Sequence, residues 1–220
     1  VDRIVFDKTG TLTEGNFGVT DILPAAGVSE KELLTLAYSA ESQSEHPLAK
    51  GIVRKGEAEG VTLLPATDYQ NLTGQGLQVT VDGMQVAVVS PGTLDERGIA
   101  YNKETFASLA QQGKTVVFVL KEGILQGMIA NADIIRSSSH EVVTALKEQG
   151  IEAIMLTGDN SRAAQYVGEQ LGLAQVFAEV LPAEKSKHIA ALKAGNKKVA
   201  MVGDGVNDAP ALAEADLGIA

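Results

Sequence analysis

The stretch Asp7-Lys8-Thr9-Gly10-Thr11-Leu12-Thr13 follows directly on the apolar run Ile4-Val5-Phe6. A run of this kind reads as a short buried strand, which puts Asp7 at its carboxyl end with small, hydroxyl-bearing residues beyond. In an open α/β sheet the crevice outside the strand ends is where ligands bind. A carboxylate there can coordinate a metal ion or attack an electrophile to make an acyl phosphate. The heptad points to an enzyme of phosphoryl transfer.

From residue 137 onward the pattern alternates between helix and strand. Residues 137–149 have helical spacing, with Val142, Val143 and Leu146 on one face and Gly150 as C-cap. Residues 151–156 form a short apolar strand ending at Thr157-Gly158-Asp159-Asn160, and 161–171 are helical again. A strand at 176–178, a helix at 184–194 and a strand at 199–202 complete the series, the last ending at Gly203-Asp204-Gly205. This alternation predicts a mostly parallel sheet covered by helices on both faces. The middle differs: helices at 30–42 and 46–59, then strands at 76–81 and 85–89 around Asp82-Gly83. A helix at 106–112 and a second hairpin, 116–120 with 124–130 around Glu122-Gly123, follow. The expected architecture is an α/β domain of residues 1–20 and 131–220, with an α+β domain, 21–130, inserted between its first strand and the remainder.

Three predicted strand ends converge in that sheet, at Asp7, Thr157 and Asp204, with Asp208 four residues past Asp204. Carboxylates meeting in one crevice repel each other, and a hard divalent cation with oxygen ligands relieves this; Mg2+ suits because substrate phosphates add ligands. Glycines on both sides of Asp204 let backbone approach a phosphoryl group. The Thr157 hydroxyl, the Gly158 amide and a lysine would hold its equatorial oxygens. Taken singly these are weak signals. An Asp-Gly pair is ordinarily a turn, Thr157–Asn160 reads as a helix N-cap, and Lys185 as a solvated lysine. Their co-occurrence after successive strands is what points to a site. No Gly-x-x-x-x-Gly-Lys-Ser/Thr run exists, which excludes a P-loop enzyme.

Lysine and arginine number 18 against 28 acidic residues, a net charge of −10, which argues against a nucleic-acid partner. ATP remains possible for an acidic chain if Mg2+ and local lysines offset its phosphates. The absence of cysteine excludes disulfides and thiolate metal sites, and no apolar stretch reaches membrane-span length. The abrupt beginning and end, without an initiator methionine, suggest an excised piece of something longer; the piece itself is expected to be soluble and monomeric.

The heptad, Thr157-Gly158-Asp159 and Gly203-Asp204-Gly205-Val206-Asn207-Asp208, in this order, resemble the cytoplasmic catalytic part of a P-type ATPase. The resemblance implies a haloacid-dehalogenase-like phosphorylation domain in which Asp7 accepts the γ-phosphoryl of ATP. Asp7, Asp204 and the Thr9 carbonyl would hold Mg2+. Lys8, Thr9 and Asp159 belong to the same catalytic motifs; Thr157, Gly158, Lys185 and Asn207 would contact the phosphoryl group, and Asp208 would support the site. Soluble relatives of the fold carry a general-acid aspartate where this chain has Thr9, which cannot act as that acid and suits a persistent phosphoenzyme. Asp133 and Arg136 match the family's Asp-x-x-Arg element and are read as structural or hinge-associated.

The insert resembles the nucleotide-binding domain of the heavy-metal-transporting branch through Ser44-Glu45-His46-Pro47-Leu48. By that resemblance His46 meets the adenine ring, Glu41 hydrogen-bonds its edge, and Gly74 and Gly76 let the nucleotide approach backbone. Read bare, His46 before a proline is a helix-start feature. Many relatives place a Gly-Asn pair on the strand after Gly-x-Gly, where this chain has Ser90-Pro91-Gly92. Either Ser90 or nearby backbone substitutes, or the contact is missing and ATP binds less tightly. The Ser-Pro-Gly wording is closer to CopB-like copper exporters than to CopA-like ones. The implied whole is a membrane pump for a heavy-metal ion, with transmembrane helices and an actuator domain as partners of this cytoplasmic portion. Two other readings compete: a soluble Mg-dependent phosphatase with a cap domain, and a nucleotide-binding regulatory module.

Overall fold

A computed structural model describes all of residues 1–220. In chain order, β1 (Arg3–Asp7) is followed by a tight loop, β2 (Thr13–Pro24), α1 (Glu30–Glu41) and α2 (Pro47–Glu59). Next come β3 (Ala66–Leu72), β4 (Gly76–Val81), β5 (Met84–Val89), α3 (Pro91–Arg97) and α4 (Lys103–Gln111). β6 (Thr115–Lys121), β7 (Ile124–Ile135), α5 (Ser137–Glu148), β8 (Glu152–Leu156) and α6 (Ser161–Leu171) lead on. β9 (Gln175–Phe177), α7 (Lys185–Leu192), β10 (Val199–Val202), α8 (Ala209–Glu214) and β11 (Leu217–Ile219) complete the chain. The chain divides into two compact units, one of Val1–Gly15, Gln111–Gly113 and Asp133–Ala220, the other of Asn16–Ala110 and Lys114–Ala132. Of the four passages between units, two fall inside the long strands β2 and β7 and show neither as a turn nor as a shift in composition; the other two flank Gln111–Gly113, at the end of α4 and before β6.

The first unit is built on a parallel sheet of order β11-β10-β1-β8-β9. Alternation along β1 sends Val5 and Phe6 to opposite faces. Val5 joins Ile154, Leu156, Val199 and Met201 against Ile189 and Leu192 of α7 and Ala211 of α8. Phe6 joins Ala153 and Met155 against Val143 of α5 and Ala164, Val167 and Leu171 of α6. With both faces covered, the strands read as nearly continuous apolar runs.

The second unit holds an antiparallel sheet of order β2-β7-β6-β5-β4-β3. One face packs Leu77, Val79, Val86, Val88 and Ile129 against Leu33, Leu36 and Ala37 of α1 and Ile52 of α2. The other face buries Phe118 with Leu94 of α3 and Leu109 of α4, and the Phe118 ring lies 4.8 Å from that of Tyr101. α1 starts in a capping box: the Ser29 hydroxyl accepts from Glu32 N–H at 3.1 Å while the Glu32 carboxylate accepts from Ser29 N–H at 2.8 Å. Both expected hairpin turns form, with φ of 50° and 77° at Asp82-Gly83 and 50° and 74° at Glu122-Gly123, the signs a type I′ turn requires.

Three features depart from the sequence reading. β2 and β3 were not expected, because TEGNFGVTDILP and ATDYQNL lack clean alternation. Val142 was assigned to the buried face of its helix but is 44 % exposed; the buried stripe of α5 runs instead through Ser139 and Val143. Ser90 does not continue a strand: it is the N-cap of α3, with Pro91 in the first turn.

Asn131, in β7, is fully buried with neither amide atom hydrogen-bonded to protein. Such a group carries its desolvation cost without compensation. Asn131→Val, a good strand former, is expected to raise stability by about 1–3 kcal/mol in urea unfolding.

Candidate functional site

Three adjacent parallel strands, β10, β1 and β8, end side by side, and their carboxyl ends deliver Gly203-Asp204, Asp7 and Thr157. Asp7 is 7 % exposed and Asp208 1 %. Between them lies the Lys185 ammonium, donating to Asp7 Oδ1 at 2.8 Å and to Asp208 Oδ1 at 2.7 Å. Burial raises the Asp7 carboxyl above its ordinary range, against the pull of Lys185. Burial also works against the Lys185 ammonium, but the hydrogen bonds to Asp208 and Asp7 outweigh it and the net direction is upward. Lys185 therefore stays charged, and the Asp7 carboxylate also accepts from the Lys8 backbone N–H.

The second oxygen of Asp208 accepts from Asp204 N–H at 3.1 Å. A Cβ on Gly203 would sit 2.4 Å from that same oxygen, so this glycine makes room for Asp208. Asp204 is exposed and held by its own turn: Oδ1 accepts from Val206 N–H at 2.8 Å and Asn207 N–H at 2.6 Å, and Oδ2 from the Asn207 amide at 2.7 Å. The Asn207 side-chain bond is the leading cause that keeps the Asp204 carboxyl below its ordinary range. Asn207 thus contacts Asp204 here.

Lys8 is 3 % exposed and belongs to a separate network. Its ammonium lies 2.5 Å from Asp159 and 3.7 Å from Asp133. Asp133 also accepts from the Thr13 hydroxyl at 2.6 Å and Gly15 N–H at 2.9 Å. Arg136 donates to the carbonyls of Thr13 and Gly10 at 3.0 and 3.1 Å. These bonds fix the loop after Asp7, in which Gly10 has φ of 79° and Thr9 is exposed. Thr157 is buried, with its hydroxyl accepting from Asp159 N–H at 3.1 Å; Gly158 is exposed.

The second unit has a cavity of about 540 Å³ lined by Glu41, His46, Gly74, Gly76, Leu77 and Val88, among others. Glu41 closes α1, and His46 is the N-cap of α2, its Nδ1 accepting from Leu48 N–H at 3.2 Å. The helix-start role and a place in the cavity wall therefore coexist in one imidazole. A Cβ on Gly76 would fall 2.0 Å from the Val88 carbonyl, so close strand approach requires glycine. Ser90 lines the cavity too, its hydroxyl 3.1 Å from that of Thr93. Glu41 is 7 % exposed, and burial pushes its carboxyl up to about 7, with a bond from Ser44 the only opposing influence.

Residues 1–216 match the family model of a haloacid dehalogenase-like hydrolase. The chain belongs to the haloacid dehalogenase-like hydrolases. Within this family the hydrolase matches P-type ATPases. It is 51 % identical to "Copper-exporting P-type ATPase B" of Archaeoglobus fulgidus, over 100 % of this chain and 31 % of the pump. It superimposes on the structure of a zinc-transporting PIB-type ATPase in the E2.Pi state with TM-score 0.89 and 38 % identity, over 99 % of this chain and 35 % of that one. A catalytic domain of the CPx-ATPase CopB-B, from work on conformational changes upon nucleotide binding, matches with TM-score 0.61 and 29 % identity, over 99 % and 77 %. The chain thus spans about a third of the curated pump it matches, and none of its helices is long and apolar enough to cross a membrane.

Sequence reasoning about this hydrolase did not single out Tyr69 of β3. Its hydroxyl donates to the Ala40 carbonyl and accepts from Gln43 N–H at 3.4 Å, tying the end of α1 to the sheet beside Glu41. The strand that carries it has no periodic signal, so nothing in the sequence marks it.

Folded Glu41 binds its proton more tightly than the unfolded chain, whose value is 4.5, so stability falls as pH rises from there through about 7. Glu41→Gln removes this penalty. In urea unfolding the variant should gain on the order of 3 kcal/mol over the parent at pH 8 and nothing at pH 4.

Proposed function

We propose that this chain is the catalytic segment of a heavy-metal-transporting P-type ATPase, in which ATP phosphorylates Asp7. The observation that carries the reading is the Asp7–Lys185–Asp208 bridge at the ends of β1 and β10. Lys185 orients one oxygen of Asp7 and leaves the other available for attack. That oxygen forms a bond to the γ-phosphorus as the bond from phosphorus to the bridging oxygen breaks, and ADP leaves with the electron pair. Thr157 and Gly158, at the end of the neighbouring strand, are the groups available to hold the transferring oxygens. Thr9 offers no acid to hasten hydrolysis, so the acyl phosphate persists.

Mg2+ fits the donors present. Asp7, Asp204 and the Thr9 carbonyl are hard oxygen ligands, and Asp204 is kept ionised by its turn. No cluster of three or more histidine, cysteine, aspartate or glutamate side chains is gathered, which suits a cation that takes one or two carboxylates and completes its shell with phosphates and water. Bound there, the ion supplies charge neutralisation between Asp7 and the incoming phosphates.

The cavity with Glu41, His46, Gly74 and Gly76 is the nucleotide site in this reading. The pump's cargo is copper, supported by the copper-named relative and the Ser90-Pro91-Gly92 wording; its transmembrane helices and actuator domain are the partners of this cytoplasmic part.

Intact-mass analysis after incubation with Mg-ATP tests the nucleophile: a hydroxylamine-labile phosphoryl adduct is expected on the parent and absent from Asp7→Asn. An adduct on both proteins would sink the assignment. For the nucleotide site, His46→Asn keeps an N-cap while removing the ring. It should weaken ATP binding several-fold yet leave phosphorylation of Asp7 by acetyl phosphate unchanged; equal loss of both would overturn the separation of roles.

A further inference from the structure

We propose that Glu179 is a positioning residue for phosphoryl transfer, fixing the turn Thr157-Gly158-Asp159 from the segment that runs beside it. This rests on the reading that Thr157 and Gly158 hold the transferring oxygens at Asp7. Past the end of β9 the chain stays paired with the turn. Thr157 N–H donates to the Phe177 carbonyl at 2.9 Å, Glu179 N–H to the Asp159 carbonyl at 2.9 Å, and Val180 N–H to the Thr157 carbonyl at 3.1 Å. A Cβ on Gly158 would lie 3.3 Å from the Val180 carbonyl, so the two backbones are in close contact there. Val180 itself is 4 % exposed and packs in the core with Val5, Ile154 and Leu156. Residues 177–180 are thus an anchored floor beneath the turn.

Within that floor the backbone singles out Glu179. Its φ is 56°, in the left-handed region that an L side chain disfavours. Asp82 and Glu122 share this sign, but they sit in hairpin turns whose geometry requires it. Glu179 is in no hairpin, and glycine would adopt its conformation more readily. A glutamate does what glycine could not: its Oε2 accepts from the Ser161 hydroxyl at 2.7 Å. Ser161 is the first residue of α6, which follows the turn, and a carboxylate is favoured at the N-terminal end of a helix. One residue therefore holds the turn at two points, Asp159 through its N–H and Ser161 through its side chain.

Glu179 and Ser161 are both exposed, so the bond between them adds little to global stability. Its effect is local. Donors that meet charge as it develops on a transferring group act through exact placement, and a small displacement of the Gly158 amide or the Thr157 hydroxyl slows the chemical step. Binding of ATP is a separate matter, because the residues lining the nucleotide cavity belong to the second unit. The role therefore has a kinetic signature: the rate of transfer changes while the affinity for ATP does not.

Single-turnover phosphorylation of the full chain by Mg-ATP, followed by intact mass over a range of ATP concentrations, separates the two. Glu179→Ala should lower the maximal rate about tenfold to a hundredfold, with the half-saturating ATP concentration unchanged. Glu179→Gln keeps an acceptor for Ser161 and should stay within about threefold of the parent. Glu179→Gly relieves the backbone; it should resist urea at least as well as Glu179→Ala and yet be as slow, a split that a merely structural role would not produce. A Gly variant that is phosphorylated at the parent's rate, or a Gln variant as slow as Ala, would overturn the positioning role. So would an Ala variant changed only in its half-saturating ATP concentration. A parent that gains no phosphoryl group from Mg-ATP or from acetyl phosphate would overturn the reading of the site itself, and the positioning role with it.

Discussion

One ammonium holds the strand-end site of the first unit together. Asp7 and Asp208 are both buried, and two ionised carboxylates could not share that position without Lys185 between them. Removing one partner of such a buried set leaves uncompensated charge, a far larger loss than the set's net contribution to stability. Specificity of arrangement is what the bridge supplies. Because Asp208 uses its second oxygen on Asp204 N–H, the position of Lys185 is transmitted to the turn that carries Asp204, and Gly203 is the space in which this happens. Asp7, its cation and Asp204 are thereby set by one connected group of bonds rather than by three independent loops.

A second lysine repeats the device. Lys8, next to Asp7 in sequence, directs its ammonium toward Asp159 and Asp133, and Asp133 in turn holds Thr13 and Gly15. Arg136 closes the same loop from its carbonyl side. The excess of acid over base in the composition thus leaves the site's carboxylates supplied with cations, because the lysines that matter are buried among them.

Much of this architecture was legible in the sequence. Apolar runs such as Val199–Val202 and the Asp82-Gly83 and Glu122-Gly123 turns have local physical signatures, so the parallel sheet and both hairpins could be placed. The strand-end rule put Asp7, Thr157 and Asp204 near one another, and adjacent strands β1, β8 and β10 do so. What sequence could not convey was partnership. Asp133 and Lys8 are 125 residues apart, and nothing local pairs them. Asn207 was read toward a substrate and faces Asp204, because a carboxylate and an amide three residues apart close a turn whatever else they do. β2 and β3 escaped notice because edge strands, half solvated, lose the alternation that would reveal them.

β1 occupies the middle of its sheet although it comes first of the sheet's five strands in chain order. Arg3 pairs with Glu152 on one side and Val199 on the other, so both neighbours emerge from the ribosome long afterwards. At about 5–20 residues per second the wait runs to roughly ten seconds or more. The inserted unit is complete by Ala132 and can gather its own core meanwhile. For that interval Ile4, Val5 and Phe6 are an apolar segment without a sheet, and Asp7 beside them lacks Lys185. Only when β10 and α8 have been made does the carboxylate at the heart of the site acquire its surroundings.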